Sequence, residues 1–466
     1  MSRIHFIGIC GTAMGTLAAM FKARGHDVQG SDQSVYPPMS DFLVGQGIRL
    51  LDGYSAAHIT ADIDMVVVGN AISRGNPELE DVLDRKTRFV SLPEAIRDEF
   101  LWASQSIVIA GTHGKTTTTA LAGWLLAAGG VDPTILVGGI ALNLDGSYRL
   151  GGGKPFVLEG DEYDSACFDK TAKFLKYLPD IAVVGNLEYD HADIYPDMES
   201  LRTAFRRFLN LVPARGQVLI GADSVEALAL KSFARGGSVE TFGLAADADW
   251  KAGHLEPVDG RVRFSVRHNG DAFGTFVSPL HGVHNVRNAL AAIAIGHMVG
   301  LSPDTLAAGL LEFKGVRRRL ELRGTVRGVS VYDDFAHHPT AIAETLRAVR
   351  WSNPGRRIWA IFEPRSASSC RRVFQDAFAE AFMGSDADEI VLPAVFRAAL
   401  PVEDRLSVED LVAGLTRAGR RARHIPTVDQ IVETVAGEAR DGDIVVAMSN
   451  GGFDGIHGKL LTALGR

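Results

Sequence analysis

Gly111-Thr112-His113-Gly114-Lys115-Thr116-Thr117 follows a β-branched run, Ser106 to Ala110, and precedes a helical stretch from Thr116 to Ala128 that Gly129-Gly130 closes. A phosphate-binding loop needs that setting. A strand delivers it, glycine lets backbone N–H groups approach anionic oxygens, and a helix N-terminus adds the positive end of its dipole. Lys115 is placed to neutralise phosphate charge and the Thr116 hydroxyl to hold Mg2+. The spacing departs from G-x-x-x-x-G-K, which would put glycine where Ile109 stands. The string still predicts nucleoside triphosphate binding.

Other residues stand where such a loop needs partners. Glu159 ends the buried run Phe156-Val157-Leu158 and leads into the acidic cluster Gly160-Asp161-Glu162-Tyr163-Asp164. A strand-end carboxylate beside a phosphate loop is a natural Mg2+ ligand, because hard cations take oxygen donors. Asn186-Leu187-Glu188-Tyr189-Asp190-His191 follows another buried run, Ile181 to Val184. In Gly282-Val283-His284-Asn285-Val286-Arg287-Asn288-Ala289, two carboxamides share a helix face, where each can donate to and accept from an adenine edge. Asn285 is equally suited to cap that helix. Phe313 to Leu320 carries Arg317, Arg318 and Arg319, cations that can reach a transferring phosphoryl group. Tyr332-Asp333-Asp334-Phe335-Ala336-His337-His338-Pro339 follows a further strand. Near the start, Gly8 to Gly15 is G-x-x-G-x-x-x-G, with Asp32 about where an acidic residue meets a ribose hydroxyl. An NAD site, another nucleotide diphosphate and a structural turn all fit that segment.

The elements that must position these residues read as three α/β units. Residues 1–104 show a strand Arg3 to Ile9, a glycine turn, a helix Thr16 to Arg24, and strands Asp27 to Gly30 and Met65 to Asn70. Short apolar runs alternating with helical patterns imply parallel strands joined by right-handed crossovers. Residues 105–322 open with the phosphate loop; their stretch from Val218 to Phe276 alternates and predicts antiparallel strands at one sheet edge. Residues 323–466 carry strands Val329 to Tyr332, Arg357 to Phe362, Glu389 to Leu392 and Ile444 to Met448 between helical segments. The fold class is α/β with three domains: a Rossmann-like N-terminal domain, a central P-loop ATPase-type domain and a Rossmann-like C-terminal domain.

Composition narrows the function. The 466 residues are 46% hydrophobic and 22% charged, as in globular proteins. A net charge of −8 without any basic run excludes general nucleic-acid affinity. Cys10, Cys167 and Cys370 are too few and too scattered for a disulfide framework or a zinc site. No basic region leads into a long apolar one at the N-terminus, and no apolar run reaches the roughly 18 residues of a membrane span. The expected compartment is the cytoplasm, with no membrane insertion.

Taken in this order, G-T-x-G-K-T, the strand-end Glu, N-x-x-x-D-H, H-N-x-x-N-A, F-x-G-x-x-R-R and D-D-x-x-H-H-P resemble the Mur ligase family, the ATP-dependent amide ligases of peptidoglycan synthesis. The resemblance covers the whole chain, and the family's shortened loop accounts for the glycine missing at Ile109. It implies ATP and Mg2+ as cofactors. Gly111, Thr112, His113, Gly114, Lys115, Thr116 and Thr117 would form the ATP loop, with Thr116, Glu159 and His191 around Mg2+. His284, Asn285 and Asn288 would meet the adenine, Arg319 the phosphates, and Asp334 with His337 the ribose and reaction centre. Lys115, His191, Arg319 and His337 are then the catalytic candidates, and either histidine can take a proton near neutrality. The first domain would hold a UDP-sugar, not NAD, through Gly11, Thr12, Ala13, Met14, Ser31 and Asp32.

Three strings resemble one branch within the family: Ser31 to Ser40, Glu363-Pro364-Arg365-Ser366, and Met448 to His457. That branch joins the tripeptide L-Ala-γ-D-Glu-meso-diaminopimelate to UDP-N-acetylmuramate through an acyl phosphate, in peptidoglycan recycling. The implied partners are these two small molecules, with the C-terminal domain taking the peptide through Arg365 and Asn450. The nearest alternative is the branch that adds L-alanine to the same acceptor. An NAD-dependent dehydrogenase would leave the phosphate loop unexplained. Gly160 departs from the usual Ala of the branch, and Ala367-Ser368 from Asn-Thr. Phe205 stands where several members carry a carbamylated lysine, so no carbamate is expected.

Overall fold

The computed structural model describes residues 1–396 and 400–466. The chain forms two compact units. The first comprises Met1–Leu187, Met198–Trp250 and Ala291–Gly309; the second comprises Glu188–Asp197, Lys251–Leu290 and Leu310–Arg466.

The first unit contains an N-terminal sheet of β1 (Arg3–Ile7), β2 (Asp27–Asp32), β3 (Arg49–Asp52), β4 (Met65–Val68) and β5 (Phe89–Ser91). Their order is β3-β2-β1-β4-β5 and every pairing is parallel, the Rossmann-like arrangement. All four residues of β4 are buried, as they must be in a sheet covered on both faces. The helix after β1 spans Thr12–Ala23, so it starts at Thr12 and not at Thr16. Gly15 explains the difference: it lies inside the helix, where a Cβ would meet Met39 Sδ at 2.5 Å. That glycine serves packing, and the turn is shorter than its spacing implied.

The same unit holds β6 (Gln105–Ala110), β7 (Thr134–Ala141), β8 (Gly146–Arg149), β9 (Pro155–Gly160), β12 (Ile181–Val184), β13 (Gln217–Gly221) and β14 (Ser238–Gly243), in the order β14-β13-β12-β6-β9-β7-β8. A short ribbon, β10 (Asp164–Ala166) with β11 (Asp169–Ala172), follows β9. β12, β13 and β14 pair in parallel, which corrects the expected antiparallel edge from Val218. The helix Val225–Ala229 connects β13 to β14, making the link a crossover and not a hairpin. Within the same stretch β16 (Arg261–His268) and β17 (Asp271–Ser278) of the second unit do pair antiparallel, and β15 (Trp250–Val258) flanks β16.

The second unit also contains β18 (Glu321–Val326), β19 (Val329–Asp334), β20 (Ile358–Phe362), β21 (Glu389–Leu392), β22 (Ala422–His424) and β23 (Ile444–Met448), in the order β18-β19-β23-β20-β21-β22. All pairs are parallel except β18 with β19. β18 escaped the sequence reading because it is a half-exposed edge strand with polar residues, turned back by Arg327 (φ 49°) and Gly328 (φ 72°). Ile358, Ala360 and Phe362 pack into one core while Trp359 and Ile361 pack into another, so both faces of β20 are buried. Among the described residues, no helix is long and apolar enough to cross a membrane.

Phe205, on the helix Met198–Leu209, is fully buried and edges onto Phe174 at 5.1 Å between ring centres. Truncating it leaves a cavity the neighbouring rings cannot close. Phe205→Ala should cost about 3–5 kcal/mol of stability, read as a lower urea midpoint at unchanged slope.

Candidate active site

β6 ends at Ala110 and the helix Lys115–Ala128 follows, leaving Gly111 to Gly114 to make the turn. Gly114 (φ 81°) and Gly111 (φ 138°) take conformations that L side chains resist. Asn186, just past β12, braces the loop. Its Oδ1 accepts from His113 N at 2.8 Å, its Nδ2 donates to His113 O at 3.1 Å, and its carbonyl accepts from Thr112 N at 3.1 Å. Asn186 heads the segment that ends in His191, and its bracing role has no sequence signature.

Lys115 Nζ donates to Gly111 O at 2.6 Å and to the two oxygens of Glu162 at 2.9 and 2.8 Å. Burial works against the ammonium, yet the charges of Glu162, Asp161 and Glu159 outweigh it and push the lysine pKa up. Lys115 is therefore a fixed cation at neutral pH. Thr116 Oγ1 donates to Glu159 Oε2 at 3.2 Å, and Glu159 Oε1 accepts from Gly138 N at 2.5 Å. A Cβ on Gly138 would fall 3.0 Å from Glu159 Oε1, so glycine lets β7 approach this closely. The paired side-chain oxygens of Thr116 and Glu159 at a helix N-terminus fit a hard cation such as Mg2+. Asp161 is held well below the usual carboxylate range: burial raises it, but Lys173 and Lys115 overcome that. Glu162 was not separated from its acidic cluster by spacing alone.

The other nucleotide and reaction-centre candidates belong to the second unit. His191 has φ 55°, and its N–H donates to Asp190 Oδ1 at 2.6 Å and to Ser368 Oγ at 3.1 Å. Burial pushes the Asp190 carboxyl up, but the imidazoles of His191, His338 and His337 hold it well below the usual range. His337 Nδ1 lies 3.0 Å from Phe335 O, so it is the donor, and in the neutral ring Nε2 carries the lone pair. Thr340 Oγ1 donates to Glu188 Oε2 at 2.5 Å, and His338 Nε2 donates to Tyr189 O at 3.2 Å. Nothing in the sequence marked Ser368 or Glu188 for these contacts.

Arg319 lies over the Phe335 ring at 5.1 Å, beside Asp334. Asp334 is buried; its Oδ1 accepts from Ala336 N at 2.8 Å and its Oδ2 from Leu320 N at 2.7 Å. Burial pushes this carboxyl up despite the Arg319 charge. Arg318, the preceding residue, donates to Ser449 O and Gly451 O, each at 2.6 Å. His284 Nδ1 is 3.7 Å from Glu344 Oε2, and this imidazole holds the Glu344 carboxyl below its ordinary range. Asn288 Nδ2 donates to Asn285 Oδ1 at 3.0 Å, so the two carboxamides do share a face. Asn285 lies within the helix Val283–Met298, and its Nδ2 reaches back to His281 O at 2.8 Å.

In the N-terminal sheet, Gly8 N and Ile9 N donate to Ser31 O at 2.8 and 3.0 Å, and Cys10 N donates to Asp32 Oδ2 at 2.9 Å. Gly11, Thr12 and Ala13 are exposed at the helix start, whereas Met14 is buried. In the second unit, Arg365 lies 3.6 Å from Glu363 and 3.7 Å over the Phe396 ring. A Cβ on Gly451 would fall 2.0 Å from Arg365 Nε. The close approach that this glycine permits is therefore that of Arg365 itself. Asn450 Oδ1 is buried without a hydrogen-bond partner among the described residues.

Three family models match along the chain: Mur ligase family, catalytic domain, over residues 3–99; Mur ligase middle domain over 109–296; and Mur ligase, glutamate ligase domain, over 318–451. The chain is 40% identical over 466 residues to the UDP-N-acetylmuramate--L-alanyl-gamma-D-glutamyl-meso-2,6-diaminoheptandioate ligase of Escherichia coli (strain K12), covering 100% of this chain and 98% of that protein. It is 35% identical over 448 residues to the UDP-N-acetylmuramate--L-alanine ligase of Desulfatibacillum aliphaticivorans, covering 96% and 95%. Among solved structures it is similar to a murein peptide ligase from Psychrobacter arcticus, with a TM-score of 0.73, 37% identity and coverage of 100% and 99%.

Two outcomes follow from the Lys115 cluster. Lys115→Ala should lower ATP-dependent phosphate release more than tenfold, over about 1.4 kcal/mol of transition-state stabilisation, with the circular dichroism spectrum retained. Glu159→Ala should shift the Mg2+ concentration for half-maximal activity upward, read by titrating activity against Mg2+; an unchanged midpoint removes Glu159 from the metal shell.

Proposed function

The chain belongs to the Mur ligase family, and from that premise we propose that it joins L-Ala-γ-D-Glu-meso-diaminopimelate to UDP-N-acetylmuramate at the expense of ATP, in peptidoglycan recycling. The observation that carries the substrate assignment is the 40% identity over the full chain to a ligase named for that tripeptide, against 35% to one named for L-alanine. The reaction forms a C–N bond and releases ADP and phosphate. We place it in the cytoplasm, where ATP and UDP-sugars are made.

The lactoyl carboxylate of the muramate is a poor electrophile. Transfer of the γ-phosphoryl group turns it into an acyl phosphate, whose leaving group is phosphate. The protein's part in that step is positioning and charge neutralisation. We assign the phosphates to the Gly111–Thr117 loop with Lys115, and to Arg319, and the adenine to His284, Asn285 and Asn288. Thr116, Glu159 and His191 are the proposed Mg2+ ligands, and the ion supplies further neutralisation of the transferring group. The amine of L-Ala then attacks the acyl carbon and must lose a proton. Of the two histidines, His337 is set up for this, because its bond to Phe335 O leaves Nε2 as the basic nitrogen. Asp334 holds the backbone beside His337 and lies near the ribose in this reading. Residues 1–104 bind the UDP-sugar through the turn at Gly11 to Met14 and through Ser31 and Asp32. Residues 105–322 bind ATP, and residues 323–466 bind the peptide through Arg365 and Asn450.

An amine panel tests this. With UDP-N-acetylmuramate, ATP and Mg2+, phosphate release should be at least tenfold faster with L-Ala-γ-D-Glu-meso-diaminopimelate than with L-alanine at equal concentration. The reverse ranking would move the chain to the L-alanine branch.

A further inference from the structure

Beneath the glycine turn of the N-terminal sheet lies a carboxylate that neither a motif nor the proposed chemistry uses. Glu78 is in the first turn of the helix Pro77–Arg85 and is completely buried. Asn76 caps that helix, its Oδ1 accepting from Glu78 N at 3.0 Å and Leu79 N at 3.1 Å, which fixes where the Glu78 side chain leaves the backbone. Its Oε2 accepts from Ser31 Oγ at 2.5 Å and from His5 Nε2 at 3.1 Å. Its Oε1 accepts from His58 Nδ1 at 2.7 Å and from Ser55 N at 3.2 Å. Gln29 Nε2 lies 3.2 Å from the other nitrogen of His5, so both ring nitrogens of His5 are engaged. The network is thus one carboxylate with four donors. Burial would raise the Glu78 carboxyl, but the bonds from His5, Ser31 and His58 hold it below its ordinary range.

The donors come from different elements: His5 from β1, Ser31 from β2, and Ser55 and His58 from the chain after β3. One of them has a second role. The Ser31 carbonyl accepts from both Gly8 N and Ile9 N, while the next residue, Asp32, accepts from Cys10 N. Whatever fixes Ser31 therefore fixes the glycine turn. We propose that Glu78 is a positioning residue for the uridine diphosphate end of the acceptor substrate, tying Ser31 of β2 to β1 and to the chain after β3 so that the Gly8–Gly11 turn keeps its binding shape. This rests on the functional reading above and adds to it a residue that touches no substrate.

The chemistry makes the replacement informative. Ser55 N and His58 Nδ1 face one oxygen, and a backbone N–H can only donate. Glu78→Gln must keep its carbonyl oxygen on that side and turn its NH2 toward Ser31 and His5. The His5 N–H then opposes that NH2, and the Ser31 hydroxyl must give up its donation and turn to accept, so the disturbance falls on Ser31 and His5.

Binding of UDP-N-acetylmuramate and of ATP with Mg2+, each measured alone by calorimetry on the full chain, separates positioning from general destabilisation. Glu78→Gln should weaken UDP-N-acetylmuramate at least fivefold and leave ATP within twofold. His58→Leu, at the half-exposed end of the network, should weaken it in the same direction by a smaller factor, and it serves if the first variant fails to fold. In steady state the KM for the UDP-sugar should rise while kcat at saturation stays within twofold. Unchanged UDP-sugar affinity in a folded variant, or equal weakening of both ligands, overturns the role of Glu78. A wild-type chain that binds ATP but not UDP-N-acetylmuramate overturns the functional reading and this inference with it.

Discussion

Lys115 is a cation placed where a cation is least welcome. It begins a helix, at the positive end of the macrodipole, and its ammonium is shielded from water. Such a charge persists only if negative groups surround it, and the first unit supplies them from one short segment. Glu159, Asp161 and Glu162 all follow from the way β9 ends beside β6, in register with Ala110 against Gly160. Glu162 meets the ammonium directly, so the lysine is held in position by the protein's own groups. The glycines at 111 and 114, the brace from Asn186 and the close approach of Gly138 to Glu159 all serve to pack this charge cluster without a clash.

The same device recurs at the carboxyl ends of the other sheets. A carboxylate at or just after a strand accepts backbone N–H groups from a neighbouring loop or strand and so sets its path. Asp32 does this for Cys10, Glu159 for Gly138, and Asp334 for both Leu320 and Ala336. Open α/β sheets bind ligands at this edge, where crossover loops leave it uncovered and their amides need acceptors. The acidic residues flanking the strands therefore serve two ends. They satisfy the backbone packed against them, and Glu159 also faces the Thr116 hydroxyl.

What was legible in the sequence follows from what is local. The buried parallel strands announced themselves as apolar runs, and the loop at Gly111 to Thr117 as a strand, a glycine turn and a helix in succession. β18 was missed because an exposed edge strand carries no apolar signal, and the helix start at Thr12 because Gly15 looks like a turn residue until Met39 is seen packed against it. Long-range partners were beyond reach. Asn186 on His113, Glu162 on Lys115, Ser368 on His191 and Glu78 on Ser31 each join segments far apart in the chain. No spacing rule encodes such pairs, since they arise only when separate strands are laid side by side.

The departures from the branch pattern can now be weighed by what each side chain touches. Gly160 faces β6, where a Cβ would come within 2.9 Å of Val108 Cγ1 and 3.0 Å of Ala110 Cβ. Glycine therefore suits the close packing of β9 on β6 here, and none of the atoms a methyl would meet belongs to a carboxylate. At 368 the working group is a hydroxyl, accepting from His191 N and bonding to Asp190, and serine keeps the hydroxyl that threonine would offer. Phe205 is different in kind. It puts a fully buried ring against Phe174, which in turn packs on Phe208, so that helix position offers no charge. Negative charge in the first unit is gathered instead in the acidic segment after β9, where Glu159, Asp161 and Glu162 surround Lys115.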